Sequence, residues 1–214
     1  MTDKSASSSG LGMPDRNMIA SLEQKVTEAP TSASAHYNLG LALASTGEWD
    51  RSLAEFRAAL KLKPGLLEAR VNISGVLLQK GDLDGSIQES LKALEFRPDL
   101  VEACVNIGIA YIHKRMWDPA IESFQKALAI KPDLITAHLN LANIYLAMGD
   151  FDRSIHHNKK AIEINPTLGM AYNNLSVTLH NSGDIGEAKK QAQKALDLGY
   201  DVPREFLESL GLST

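Results

Sequence analysis

The chain has 214 residues, enough for one or two ordinary domains, with a formal net charge of −4. That mild acidity, without a basic run or any interleaving of aromatic and basic residues, excludes nucleic acid as a general partner, because no face can neutralise phosphates. No apolar run nears the roughly 20 residues of a membrane span, so membrane insertion is not expected. Cys104 is the only cysteine, which excludes an internal disulfide and a thiolate zinc cluster.

In chain order, the opening MTDKSASSSGLGMPDRN lacks the apolar core and small-residue cleavage site of a secretory signal, which points to the cytoplasm. Residues 1–16 are rich in Ser, Gly and charge and have too little apolar surface to offset ordering. They are predicted to be a disordered tail. From Asn17 the sequence turns helical in period: Met18, Ile19, Leu22 and Val26 recur at three- and four-residue steps before Pro30. This predicts an entry helix over 17–30 that covers the first of a series of repeats.

The repeats have a period of 34 residues, in units 33–66, 67–100, 101–134, 135–168 and 169–200. The seventh and eighth places are apolar then small: Leu39-Gly40, Ile73-Ser74, Ile107-Gly108, Leu141-Ala142 and Leu175-Ser176. A small eighth residue lets a second helix lie close. The eleventh place (Leu43, Leu77, Tyr111, Tyr145, Leu179) falls on the same helical face as the seventh. At the fifteenth, Gly47, Gly81, Gly149 and Gly183 can take the left-handed conformation that ends a helix, and Arg115 breaks the rule.

Apolar Trp49, Leu83, Trp117, Phe151 and Ile185 come two places later. They are followed by Asp50, Asp84, Asp118 and Asp152, predicted as N-caps of a second helix, with Pro119 at its first position. Each unit thus reads helix, tight turn, helix. The second helix carries Ala59, Ala93, Ala127, Ala161 or Ala195 one turn from its end and is expected to stop at Pro64, Pro98, Pro132 or Pro166.

This pattern resembles the tetratricopeptide repeat family in its period and in its small-residue, tyrosine, alanine, aromatic and proline places. The resemblance covers five units, residues 33–200. It implies an all-α, right-handed superhelical solenoid of five helix–turn–helix units with first helices lining a concave groove. Residues 203–214, through EFLESL, are expected to form a capping helix and end that shield the open stack. Two departures stand out. The fourth place holds His36, Arg70, Cys104, His138 and Tyr172 instead of tryptophan, which predicts looser packing there, and Tyr200 replaces the closing proline.

At about 100° per residue, places 3, 4, 7, 8, 10 and 11 share one arc, apolar or small in most copies, that must bury against second helices. Places 2, 5, 6, 9, 12 and 13 then face the groove. The sixth place is asparagine throughout: Asn38, Asn72, Asn106, Asn140 and Asn174. Asparagine costs about 0.5–0.7 kcal/mol relative to alanine inside a helix, so five at one register need a reason. Either each amide offers a donor and an acceptor to the backbone of an extended peptide, or the amides bond within the scaffold.

The arrangement is similar to the asparagine ladder in the repeat domain of O-linked N-acetylglucosamine transferases. Around it, Tyr37, Val71, Leu78, Val105, Ile109, Ile112, Leu139, Asn143 and Leu146 make an apolar surface dotted with amides. Family members that clamp acidic chaperone tails use a lysine at the fifth place. None stands there, so such a clamp is not expected. The surface suits an extended or helical segment with small or hydrophobic side chains, unless the chain's own tail or a neighbouring molecule covers it.

No catalytic constellation emerges. His36 and His138 lie on the packing arc, His113 and His180 lie in the groove two repeats apart, and adjacent His156 and His157 point to different sides of their helix. No metal site or cofactor is expected. Cys104 has no histidine in register to activate it. The reading is a non-enzymatic protein–protein interaction module, a scaffold, adaptor or assembly factor that binds a peptide segment of a partner. Two alternatives stay open: a substrate-recognition subunit acting in trans for an enzyme such as a glycosyltransferase, and a self-associating homo-oligomeric scaffold.

Overall fold

A computed structural model describes residues 16–212. Among them are twelve α-helices and no strand. They fall into two compact units, one ending at Ala93 and one beginning at Leu94. The tail expected over 1–16 lies outside the described residues except for Arg16, which opens the first helix.

In the first unit, α1 (Arg16–Glu28) packs Ile19, Leu22 and Val26 against Leu39, Ala42 and Leu43 of α2 (Ala33–Ser45). Met18 stays 53% exposed, and α1 begins and ends earlier than the periodicity suggests. Helices α3 (Trp49–Leu62), α4 (Leu67–Gln79) and α5 (Leu83–Phe96) complete two helix–turn–helix repeats, with Leu53, Phe56, Ala69, Ile73, Val76 and Leu77 forming one core.

In the second unit, α6 (Val101–His113) and α7 (Trp117–Ile130), α8 (Ile135–Ala147) and α9 (Phe151–Ile164), and α10 (Gly169–Ser182) and α11 (Ile185–Asp197) form three more repeats. The short α12 (Arg204–Ser209) buries Leu207, with Val202 and Leu210, against Leu175, Leu179 and Ala192, so it caps the last repeat.

Size complementarity inside each repeat explains the small eighth place. A Cβ on Gly40 would meet the Phe56 ring at 2.7 Å, and one on Gly108 would meet Phe124 at 2.8 Å. Both rings are fully buried. Where the ring is absent the eighth place grows or turns polar: in the second repeat Ser74 hydrogen-bonds Ser90 at 2.6 Å and Ser86 at 3.0 Å. The same volume is filled by different chemistry.

Three local expectations are corrected. Asp50, Asp84, Asp118 and Asp152 are not N-caps. They sit at the second helical residue, where a carboxylate favours the helix N-terminus through its dipole. The capping carboxylates stand two places earlier: Asp82 accepts from Gly85 N at 3.0 Å, Asp150 from Arg153 N at 3.0 Å and Asp184 from Glu187 N at 3.1 Å. Pro119 is therefore the third residue of α7, where the missing N–H is still one of the four without an intrahelical acceptor.

The second helices also end two residues before each proline. Lys63, Lys131 and Asn165, directly preceding proline, hold φ of −135°, −129° and −134°, because the proline ring pushes its predecessor out of the α region. Arg115, finally, adopts the left-handed conformation itself, with φ 56°, beside glycines at 77° to 91° in the equivalent turns.

Candidate functional site

The exposed arc of the first helices divides unevenly. In the first unit Asn38 and Leu41 are exposed, while Tyr37, Val71, Asn72 and Leu78 are half-buried. In the second, Asn143 is exposed, and Val105, Asn106, Ile109, Ile112, Leu139, Asn140, Leu146 and Asn174 are half-buried. Much of the apolar character has a structural use. Val105, Ile109 and Ile112 pack beside the core that contains Leu141, Ile144 and Tyr145 of the next first helix. Tyr37 and Ala44 do the same against Ile73, Val76 and Leu77. Asn173, placed by its register on this arc, is 8% exposed with its Oδ1 unpartnered. His180, placed there as well, lies edge-on to Phe206 of α12, ring centroids 5.6 Å apart.

The asparagines are partly committed to the scaffold. Asn140 Nδ2 donates to the carbonyl of Thr136 at 2.8 Å, and Asn72 Nδ2 donates to Glu68 O at 2.8 Å and to the Tyr37 hydroxyl at 3.0 Å. The two carbonyl bonds reach back one turn along the same helix, which offsets part of the cost of asparagine there. They also orient the amide, with the donor side turned to the helix and Oδ1 remaining as an acceptor.

A second feature is written into the repeat at a spacing of 19 residues. The fourth place of the first helix meets the twenty-third place, on the second. His36 Nδ1 meets Glu55 Oε2 at 2.6 Å, Arg70 Nη1 donates to Glu89 Oε2 at 2.8 Å, and the Nδ1 atoms of His138 and His157 are 3.0 Å apart. The same fourth-place ring reaches back to the preceding proline. His36 Nε2 bonds Pro30 O, His138 Nε2 bonds Pro132 O and Tyr172 Oη donates to Pro166 O, each at 3.1 Å. The packing expected to be loose for want of tryptophan is instead pinned by polar ring tips. Cys104 at this place is 2% exposed, and burial raises its thiol pKa.

Chain patterns described as tetratricopeptide repeat match residues 33–66, 135–168 and 157–190, and one described as TPR repeat matches 117–149. The chain belongs to the tetratricopeptide repeat family. No curated protein sequence matches it. Among solved structures, MamA superposes with a TM-score of 0.69 at 24% identity over 75% of this chain and 94% of that one.

YrrB, described as a TPR protein with an unusual peptide-binding site, gives 0.64 at 19% identity over 84% and 93%. The APC/C hetero-tetramer Cut9–Hcn1 gives 0.73 at 15% identity over 91% of this chain and 38% of that chain. At these identities the likeness is one of fold. Among the described residues of this tetratricopeptide repeat protein, no helix is long and apolar enough to cross a membrane, and no group of three or more His, Cys, Asp or Glu could hold a metal ion.

Proposed function

We propose that this tetratricopeptide repeat protein is a non-enzymatic interaction module that holds an extended peptide segment of a partner protein along the first helices of its second unit, α6, α8 and α10. The observation that carries the reading is the oriented amide. Asn72 and Asn140 turn their donors back onto their own helices, so that an acceptor is left for the N–H groups of a bound backbone. Adjacent first helices lie on the order of 10 Å apart, and an extended ligand rises about 3.3 Å per residue. Asn106, Asn140 and Asn174 would then read one backbone N–H about every three residues of ligand. Leu139 and Leu146, half-buried beside the amides, supply apolar contact, which suits small or hydrophobic side chains in that ligand.

The test immobilises the full chain, identifies the segment it captures from host lysate, and titrates that segment as a synthetic peptide. Changing Asn106, Asn140 and Asn174 together to alanine is expected to preserve or raise helicity and to weaken the peptide tenfold or more. Leu146→Glu is expected to weaken an apolar peptide independently. Unchanged affinity in the triple variant would overturn the backbone-reading role.

A further inference from the structure

We infer that the His138–His157 pair is a proton-sensitive latch between α8 and α9, held closed while the pair carries at most one added proton and opened when acid adds a second. Such a latch operates whatever the first helices bind.

The hydrogen bonds fix the proton positions. The carbonyl of Pro132 can only accept, so His138 carries its proton on Nε2, 3.1 Å away. A neutral His138 then has a lone pair on Nδ1, and the ring nitrogen 3.0 Å from it, His157 Nδ1, must be the donor. The chain of bonds runs His157 Nδ1–H to His138 Nδ1, and His138 Nε2–H to Pro132 O. A first proton, entering at His157 Nε2, keeps both bonds. A second has only His138 Nδ1 to enter, and it would set two N–H groups against each other at 3.0 Å. The pair therefore titrates as one coupled system and opens at the second step.

The surroundings oppose charging. His138 is 7% exposed, and His157 stacks on Tyr145 with ring centroids 5.6 Å apart and planes 12° apart. The guanidinium of Arg153 lies over that Tyr145 ring at 4.3 Å. Burial, then the neighbouring His138, His156 and Arg153, push His157 down to about 4. Burial also lowers His138, assisted by His156 and Lys160 and opposed by the Pro132 carbonyl and Glu163.

The other charged groups on the packed elements are paired with one another or exposed to solvent. On α7, Lys126 and Glu122 pair at 2.8 Å and Asp118 is exposed in the first turn. On α9, Lys160 also pairs with Glu163 at 2.7 Å, while Asp152 and Lys159 are exposed. On α10, Tyr172 bonds Pro166 O and His180 faces Phe206.

The fifth repeat supplies the control, because it holds Tyr172 and Gln191 at the two equivalent places. The double variant His138→Tyr with His157→Gln moves that non-titrating pair into the fourth repeat. Thermal unfolding of the full chain from pH 7.5 to 4.5 should show the wild type losing several degrees more than the variant. Two-dimensional imidazole ¹H–¹⁵N spectra of the wild type should show Nε2–H on His138, Nδ1–H on His157, and titration of both below 6. Parallel melting profiles would overturn the latch. Should the variant not fold, titration of His157 near 6.5, or the opposite tautomers, would overturn it from the wild type alone.

Discussion

The first and fourth repeats place a histidine at the same position, bond it to the same kind of proline carbonyl, and yet hold it in opposite charge states. In the first unit, His36 has an acceptor at each nitrogen, Glu55 Oε2 at 2.6 Å and Pro30 O at 3.1 Å. Both nitrogens must donate, so the ring is an imidazolium. Burial pulls its pKa down, but the Glu55 hydrogen bond, the Pro30 carbonyl and the Glu55 charge together raise it above its ordinary value. In the second unit the partner is another imidazole, and the pair is neutral. One exchanged residue on the second helix, Glu55 against His157, reverses the response of a repeat to protons while its backbone stays the same.

The largest effect should come from breaking the charged version of this contact. In the second repeat Arg70 and Glu89 are 17% and 18% exposed, and Arg70 Nε already meets no acceptor. Glu89→Leu would leave a largely buried guanidinium uncompensated, an expected loss of about 2–4 kcal/mol in chemical denaturation. Arg70→Leu in the same chain should restore most of it, because it removes the buried guanidinium and the only charge left without its carboxylate is Lys92, which is 42% exposed and met by water. Failure of that rescue would mean that the pair anchors the helices by shape and not by charge.

The pH responses come next, and their signs differ. His36, raised in the folded state, contributes stability that is fully present below 6.5 and is lost as pH rises through its folded value. His157, lowered from 6.5 to about 4, contributes stability that is present above 6.5 and is lost as pH falls toward 4. Its upper limit is about 3 kcal/mol, reduced by the solvent that reaches a half-buried ring. Native-state hydrogen exchange, corrected for intrinsic rates, should show α2 and α3 gaining protection from pH 7.5 to 5.5 while α8 and α9 lose it. His36→Gln should abolish the gain and leave the loss. Protection that moves the same way in both pairs of helices would dissolve the contrast.

The period of 34 residues, the paired helices and the capped end follow from residue pattern alone, because small residues and glycines recur wherever two helices touch or one ends. The 19-residue partnership was equally present as text: His36 with Glu55, Arg70 with Glu89, His138 with His157. No recurring residue type marks it, because the two residues of each pair differ from copy to copy and only their complementarity is kept. Asp50, Asp84, Asp118 and Asp152 suit a helix start by composition and yet are not the N-caps. Capping depends on which residue has non-helical angles, which composition does not encode. The asparagines recur openly in the sequence, whereas the direction in which Asn72 and Asn140 point their amides depends on the helix carbonyls one turn back.

The smallest effect is at the turn of the third repeat, where two repeats can be compared through one residue. Arg115 and Gly149 close equivalent turns. Arg115 N bonds Ile112 O at 2.9 Å and Met116 N bonds Tyr111 O at 2.9 Å. Gly149 N bonds Leu146 O at 3.0 Å and Asp150 N bonds Tyr145 O at 2.8 Å. The backbone task is the same, so Arg115 bears a left-handed conformation costing about 1–2 kcal/mol that glycine avoids. Arg115→Gly removes that cost but gives back about 0.5–1 kcal/mol of chain entropy and a few tenths from the lost cation near the end of α6. The net expectation is a gain of about 0.5 kcal/mol, a rise of one or two degrees in melting temperature. Gly149→Arg should cost a comparable or larger amount, having no compensation in place. If Arg115→Gly lowers stability instead, the guanidinium contributes more to the third repeat than its exposed position implies, and the turn was kept non-glycine for the side chain it carries.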